Sequence, residues 1–308
     1  MSEGRIANLV IAGVPKAGTG SLFAYLAQHP DVCGSDLKET GYFNFYSAWR
    51  KQGPPPPLEE YAKHFAHCAG ERYVLEATPT YCYGGPEVVH ALRTVLGRPK
   101  VIITLRNPTD RLWSAYTFQH SVGHNAQIGS FAQYLDVVVQ RRRDGVPLVP
   151  NDGMHGLHIG FYADYLGDWF DEFGDDLRVV FLENTRRDPH AVITQLCEWL
   201  DLDTSVVPGI DVQPRKVTRP ARSKRLANVA RSLKRSGERL NVLPSAAQKR
   251  LRPLYARLNA GELNERFDPE LRVRVEEIYR ESNKLTADLL IAHGYRDLPE
   301  WLRAGSAA

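Results

Sequence analysis

Leu9-Val-Ile-Ala-Gly-Val-Pro-Lys-Ala-Gly-Thr-Gly-Ser-Leu22 decides the fold. The run Ala7–Gly13 is short, apolar, partly β-branched, and bounded by Gly and Pro, which predicts a buried strand. A Gly-rich loop, Gly13–Gly20, follows, and Ser21–His29 then reads as a helix with Leu22, Tyr25 and Leu26 on one face and Pro30 stopping it. Strand, Gly-rich loop and helix together open a nucleotide-binding α/β domain. In such a loop glycines let backbone N–H groups approach phosphate oxygens, and the helix N-terminus adds a partial positive charge. An NTPase loop needs Lys directly after its second Gly. Here Thr19 stands in that place and the lysine comes earlier, at Lys16, which disfavours ATP or GTP hydrolysis. A Gly-rich turn without a ligand is the alternative for the loop taken alone.

Working outward, Tyr73–Ala77, Lys100–Leu105 and Leu177–Leu182 read as further buried strands. Helices are expected over 87–96, 111–119 and from Asp188 to Trp199, with Asp188 as cap and Pro189 at the first helical position. The C-terminal third is helix-rich. Strands alternating with helices imply a parallel sheet with helices on both faces. Gln52–Pro57 reads as an exposed loop.

The chain has 308 residues, 43% hydrophobic and 24% charged, which excludes disorder as its main state and suits one large domain spanning 1–308. No apolar run reaches the ~18–20 residues of a spanning helix. The apolar stretch near the N-terminus is closed by Pro15 and Lys16 and reads as a strand rather than a signal peptide, so a cytoplasmic protein is expected. Cys33, Cys68, Cys82 and Cys197 are widely spaced with no CxxC pair, and in a reducing compartment they read as buried thiols rather than disulfides or metal ligands.

Pro15-Lys-Ala-Gly-Thr-Gly-Ser-Leu22 resembles the 5′-phosphosulfate loop of sulfotransferases that use 3′-phosphoadenosine 5′-phosphosulfate (PAPS). Gly20 departs from the pattern, where a hydroxyl residue is usual. Val101–Tyr116 independently resembles the family's 3′-phosphate motif, in which a strand delivers an Arg and a Ser follows eight residues later on the next helix, here Arg106 and Ser114. An Arg makes forked, charge-assisted bonds to a phosphate dianion; taken alone, Arg106 also suits a structural ion pair. Leu37–Phe43 resembles the Lys-Glu-Pro-His-Phe-Phe segment of bacterial and heparan-type members. Glu76–Tyr81 is similar to their Glu-(Ala/Lys)-(Ser/Thr)-Pro-x-Tyr segment, Gly160–Leu166 to their Gly-x-Tyr-Ala-x-x-Leu helix, and Val180–Pro189 to their Glu-Asp-Leu-x-x-Asp-Pro stretch. The resemblance runs from about Leu9 to Leu302.

The resemblance implies an α/β fold, a central parallel sheet flanked by helices with P-loop-like topology and a helix-rich C-terminal part. It implies PAPS as co-substrate, 3′-phosphoadenosine 5′-phosphate (PAP) as product, and no metal. The donor would be held by Lys16, Ala17, Gly18, Thr19, Gly20, Ser21, Arg106, Ser114 and Tyr162, and by Arg219 or Arg222 from a lid over 213–226. Lys16 would stabilise the leaving oxygen, Glu39 would act as general base, and Lys38 would contact sulfonate or acceptor. Some relatives use His as base; His64, His67, His120 and His124 qualify by type only, and His155 and His158 precede the Tyr162 helix. Tyr42, Phe43, Phe45, Tyr46 and Trp49 suit either an acceptor wall or core packing. The acceptor group would be a hydroxyl, with an amine as the second choice, on a small molecule, carbohydrate, glycolipid or natural-product precursor. Two rivals stand beside this: a kinase-like phosphotransferase, and a catalytically inactive nucleotide-binding relative.

The net charge of +3 conceals an asymmetry, because Arg215–Arg252 carries thirteen Lys or Arg and one acid, leaving −9 for the rest. This segment reads first as a solvated basic face, then as a site for an acidic partner or an anionic membrane surface. Nucleic acid ranks third, since no zinc finger, RNP motif or helix-turn-helix accompanies the charge.

Overall fold

The computed structural model describes residues 5–47, 53–122, 124–125, 128–148, 153–213 and 265–303. The basic segment 215–252, with Arg219 and Arg222, and Trp49 lie outside them. The chain divides into two compact units, residues 1–111, 159–216 and 277–308 forming one and residues 112–158 and 217–276 the other.

The first unit is built on five parallel strands in the order β2-β3-β1-β4-β5. They are β1 Leu9–Gly13, β2 Val32–Gly34, β3 Tyr73–Glu76, β4 Lys100–Leu105 and β5 Leu177–Phe181. The central strand β1 is buried along its whole length, which is why it reads as an unbroken apolar run. Side chains alternate across the sheet. Leu9 and Ile11 of β1 with Ile102 of β4 face α1 (Thr19–Leu26), through Leu22, Tyr25 and Leu26, and Val192, Ile193 and Leu196 of the helix that begins at Pro189. Val10, Ala12, Val101 and Ile103 face the opposite layer. That layer contains Val88, Val89 and Leu92 of α3 (Pro86–Leu96) and Leu166, Trp169 and Phe170 of α6 (Ala163–Phe173). Between these come the short α2 (Leu58–Ala62) and, after β5, α7 (Leu182–Arg187) and α8 (Pro189–Trp199). Asp188 caps α8 by accepting from the Ala191 N–H, with Pro189 in the first turn, as expected.

Strand β2 has no counterpart in the sequence reading. Three residues between Pro30 and a polar turn carry no periodicity, and pairing with β3 defines them. One reading of the cysteines is corrected. Cys33 at the end of β2 and Cys68 form a disulfide with Cα atoms 5.7 Å apart, whereas Cys82 and Cys197 are the buried free thiols expected. The two partners are 35 residues apart and only the fold brings them together, so spacing carried no sign of the bond.

The second unit contains most of α4 (Pro108–Val122) and α5 (Phe131–Arg143), the latter capped by Ser130. Trp113 stacks on Phe267, and Glu265 accepts from Tyr116 Oη and Phe131 N at 2.8 and 2.6 Å. A long helix, α9 (Pro269–Ala292), and a short one, α10 (Glu300–Arg303), complete the described chain. No helix of the described residues is long and apolar enough to cross a membrane.

Gly18 caps α1 in the left-handed region at φ +86°, and a Cβ there would stand 2.7 Å from Leu182 Cδ1. Gly18→Ala therefore loses stability twice, by the left-handed conformation at about 1–2 kcal/mol and by the clash. We expect a lower Tm by scanning calorimetry, with Gly53→Ala, which meets no atom within 4 Å, as the control for backbone strain alone.

Candidate functional site

The Gly-rich loop follows the C-terminal end of the central strand, where open α/β sheets place ligands. Strand β4 braces its base: Val14 N donates to Thr104 O and Thr104 Oγ1 donates to Gly13 O, both at 2.9 Å. Gly13 has no room for a side chain, since a Cβ would stand 2.4 Å from Cys82. The loop then turns through two left-handed residues, Lys16 at φ +72° and Gly18. A non-glycine residue in that region is uncommon and marks a backbone held by its surroundings. The turn leads into α1, whose first residues are Thr19, Gly20 and Ser21. Their N–H groups begin a helix, the usual seat for an anion. Gly20 needs no special conformation, and a Cβ there would lie 3.8 Å from Lys38 Cε, an ordinary contact. A hydroxyl residue would fit, so the departure at Gly20 leaves the loop intact.

Arg106 leaves the end of β4 and donates from Nη1 to Lys16 O at 3.1 Å. This joins the two sequence motifs in one place. Arg106 is itself held from behind, because Tyr162 Oη donates to its carbonyl at 2.6 Å. Next to it Asn107 N donates to Glu183 Oε1 at 2.8 Å. Among the described residues, buried Arg106 Nε and Glu183 Oε2 have no hydrogen-bond partner. Burial, and then the neighbouring positive charge of Arg186, hold the Arg106 guanidinium below its ordinary pKa. Arg186 lies on α7, one turn beyond Glu183, and the sequence reading missed it. The Lys16 ammonium is pushed down to about 8, first by burial and then by Arg106, while Glu39 opposes the shift. Arg106 and Glu39 thus act on the charge of Lys16 in opposite directions.

The segment after β2 supplies the carboxylate. Lys38 Nζ donates to Glu39 Oε1 at 3.0 Å and to Ala77 O at 3.1 Å, and Ala77 N donates to Lys38 O at 3.0 Å. The Glu39 side chain is 59% exposed, open to an incoming molecule. Glu76, by contrast, is fully buried. The residues expected as an acceptor wall divide: Phe43 and Tyr42 pack in the core, edge to face at 5.1 Å, and Tyr46 is only partly buried.

Ser114 is on α4 in the second unit, half-buried, its carbonyl accepting from Thr117 Oγ1. His64 pairs with Asp36 at 2.7 Å, His67 with Gly34 O, His124 with Gln119 and His158 with Arg142. One donor cluster emerges among the described residues, Cys33, His67 and Cys68, with ligand atoms within 4.8 Å of one another. Its two sulfurs are bonded to each other, so the cluster does not present thiolates to a metal.

Residues 7–287 match the family model of the sulfotransferase domain. A bifunctional heparan sulfate N-deacetylase/N-sulfotransferase 1 of Caenorhabditis briggsae is 26% identical over 204 residues, 65% of this chain and 23% of that protein. A heparan sulfate glucosamine 3-O-sulfotransferase 3A1 of Mus musculus is 25% identical over 197 residues, 63% of this chain and 45% of that protein. The alignments therefore span less than half of these relatives. The crystal structure of a sulfotransferase from Alicyclobacillus acidocaldarius superposes with a TM-score of 0.58 at 28% identity, covering 79% of this chain and 99% of that one. With the five-stranded parallel sheet and the joined loop and arginine motifs, these matches establish that the chain belongs to the sulfotransferase family.

Proposed function

We propose that this enzyme transfers the sulfuryl group of PAPS to a hydroxyl of a carbohydrate-like acceptor. The observation that carries the reading is the bond from Arg106 to the Lys16 carbonyl, which sets two cations side by side at the N-terminus of α1. Two half-buried like charges suit a ligand with more than one anionic group, as PAPS and PAP have. In this reading the N–H groups of Thr19 and Gly20, with the hydroxyls of Thr19 and Ser21, hold the 5′-phosphosulfate, and Arg106 holds the 3′-phosphate. The acceptor oxygen attacks sulfur in line and the S–O bond to the bridging phosphate oxygen breaks. Glu39 takes the acceptor proton, and the Lys16 ammonium stabilises the charge that builds on the departing oxygen. The carbohydrate acceptor rests on the heparan sulfate named for the worm and mouse relatives.

The first test is thermal shift with PAP against AMP, ADP and ATP. At a hundredfold excess over Kd, a ligand specific for the folded state stabilises it by about 2.7 kcal/mol. A shift with PAP that is lost in Arg106→Ala is expected; a shift with ATP and none with PAP would favour the phosphotransferase. In transfer of 35S from PAPS to fully N-acetylated heparosan, which offers hydroxyls and no free amine, Glu39→Gln should lower kcat by about 10²–10⁴-fold and keep PAP binding. Loss of PAP binding in that variant would remove Glu39 from the role of base.

The Lys16 ammonium gives a pH dependence with a definite sign. As pH rises through about 8 the folded chain loses this proton, so affinity for PAP should fall. Lys16→Arg keeps its charge and should abolish that fall in a calorimetric titration from pH 7 to 9.5. For the unliganded chain the sign reverses. Between about 8 and the ordinary 10.5 the unfolded chain binds more protons, so this group's contribution to stability rises with pH.

A further inference from the structure

Glu76 interrupts an otherwise apolar strand, Tyr73-Val-Leu-Glu-Ala77, and its side chain is fully buried. A carboxylate taken out of water needs partners. Its Oε2 accepts from Thr40 Oγ1 at 2.6 Å, Thr78 Oγ1 at 3.2 Å and Tyr81 Oη at 3.5 Å, and its Oε1 accepts from Tyr61 Oη at 3.1 Å. All four partners are neutral hydroxyls. Without a cation such a group is a poor source of stability compared with an apolar residue of the same size.

The hydroxyls do something further. Each has one proton to donate and lone pairs to accept with. Because the protons of Thr40 and Thr78 point to Glu76, their lone pairs face backbone amides: Tyr42 N donates to Thr40 Oγ1 at 3.4 Å and Gly41 N to Thr78 Oγ1 at 3.2 Å. Phe43 N donates to Tyr81 Oη at 3.3 Å, and that hydroxyl lies 3.2 Å from Thr40 Oγ1, so its proton runs toward the carboxylate directly or through Thr40. Three consecutive amides, Gly41 to Phe43, are thereby received by hydroxyls whose polarity a buried carboxylate fixes. Only Thr40 separates them from Glu39.

We infer that Glu76 is a positioning residue: through Thr40, Thr78 and Tyr81 it fixes the Lys38–Phe43 segment and so holds the Glu39 carboxylate toward Lys16. The inference rests on the proposed reading of Glu39 as the base. An amide at position 76 presents N–H groups to one side, which turns a hydroxyl round and removes an acceptor from the segment, while shape and volume are kept.

The test uses the full chain and needs neither donor nor acceptor, so it stands apart from any failure of sulfotransfer. The pH profile of Lys16 reductive methylation by formaldehyde and borohydride, read by peptide mass spectrometry, reports how close Glu39 is, since Glu39 raises the Lys16 pKa that burial brings to about 8. Glu39→Gln should move the midpoint down, with a rate at pH 8 up to about twofold higher because about half of the lysine is already deprotonated there. Glu76→Gln should move it the same way, and Glu39→Gln/Glu76→Gln should lie no lower than Glu39→Gln alone. Thr40→Val, which removes only the linking hydroxyl, should match Glu76→Gln and replaces it if that variant does not fold. A wild-type midpoint in Thr40→Val or Glu76→Gln would overturn the inference. So would a double variant lower than Glu39→Gln, because Glu76 would then act on Lys16 by its own charge.

Discussion

Two half-buried cations whose charges oppose one another are the constraint around which the site is arranged. Lys16 and Arg106 come from separate sequence motifs; burial lowers the proton affinity of both, and the charge of Arg106 lowers that of Lys16 further. The unliganded chain holds them there by backbone geometry. Arg106 is tied to the Lys16 carbonyl, Tyr162 is tied to the Arg106 carbonyl, and Thr104 braces the loop at Gly13. None of these bonds neutralises charge. An anion entering the loop relieves a repulsion already built into the folded state, which is electrostatic preorganisation in its simplest form.

That arrangement depends on the sheet. Strands β1 and β4 are neighbours and parallel, so their C-terminal ends deliver the Gly-rich loop and Arg106 to the same edge. A parallel sheet buried on both faces demands apolar strands, and those demands are what made β1, β3, β4 and β5 legible in the sequence. The same logic explains the failures. Strand β2 is three residues long and defined by pairing, and α5 mixes apolar residues with three consecutive arginines at its end. Local pattern says little about either.

Much of the candidate site could be read from the chain because its parts are local. The loop is contiguous, Arg106 ends a strand, and Asp188-Pro189 announces a helix. What could not be read depends on distance in sequence. Arg186 gains its meaning from lying near Arg106, 80 residues earlier, and the Cys33–Cys68 bond exists because β2 and the turn after α2 meet. Reading the cysteines through an assumed reducing compartment led away from that bond, since the assumption replaced the missing spatial information.

The two carboxylates of this region illustrate how environment divides labour between identical groups. Glu39 is exposed, paired with Lys38 and close enough to act on the charge of Lys16, so it is open to solvent and solute. Glu76 is sealed at the end of a strand among hydroxyls, and burial raises its pKa while four hydrogen bonds act against that rise. A proton acceptor must be reachable, and a group that sets the polarity of a hydrogen-bond network must be shielded from water that would compete for its donors. Neither carboxylate can take the other's place, because exchanging their surroundings would remove the property each one supplies.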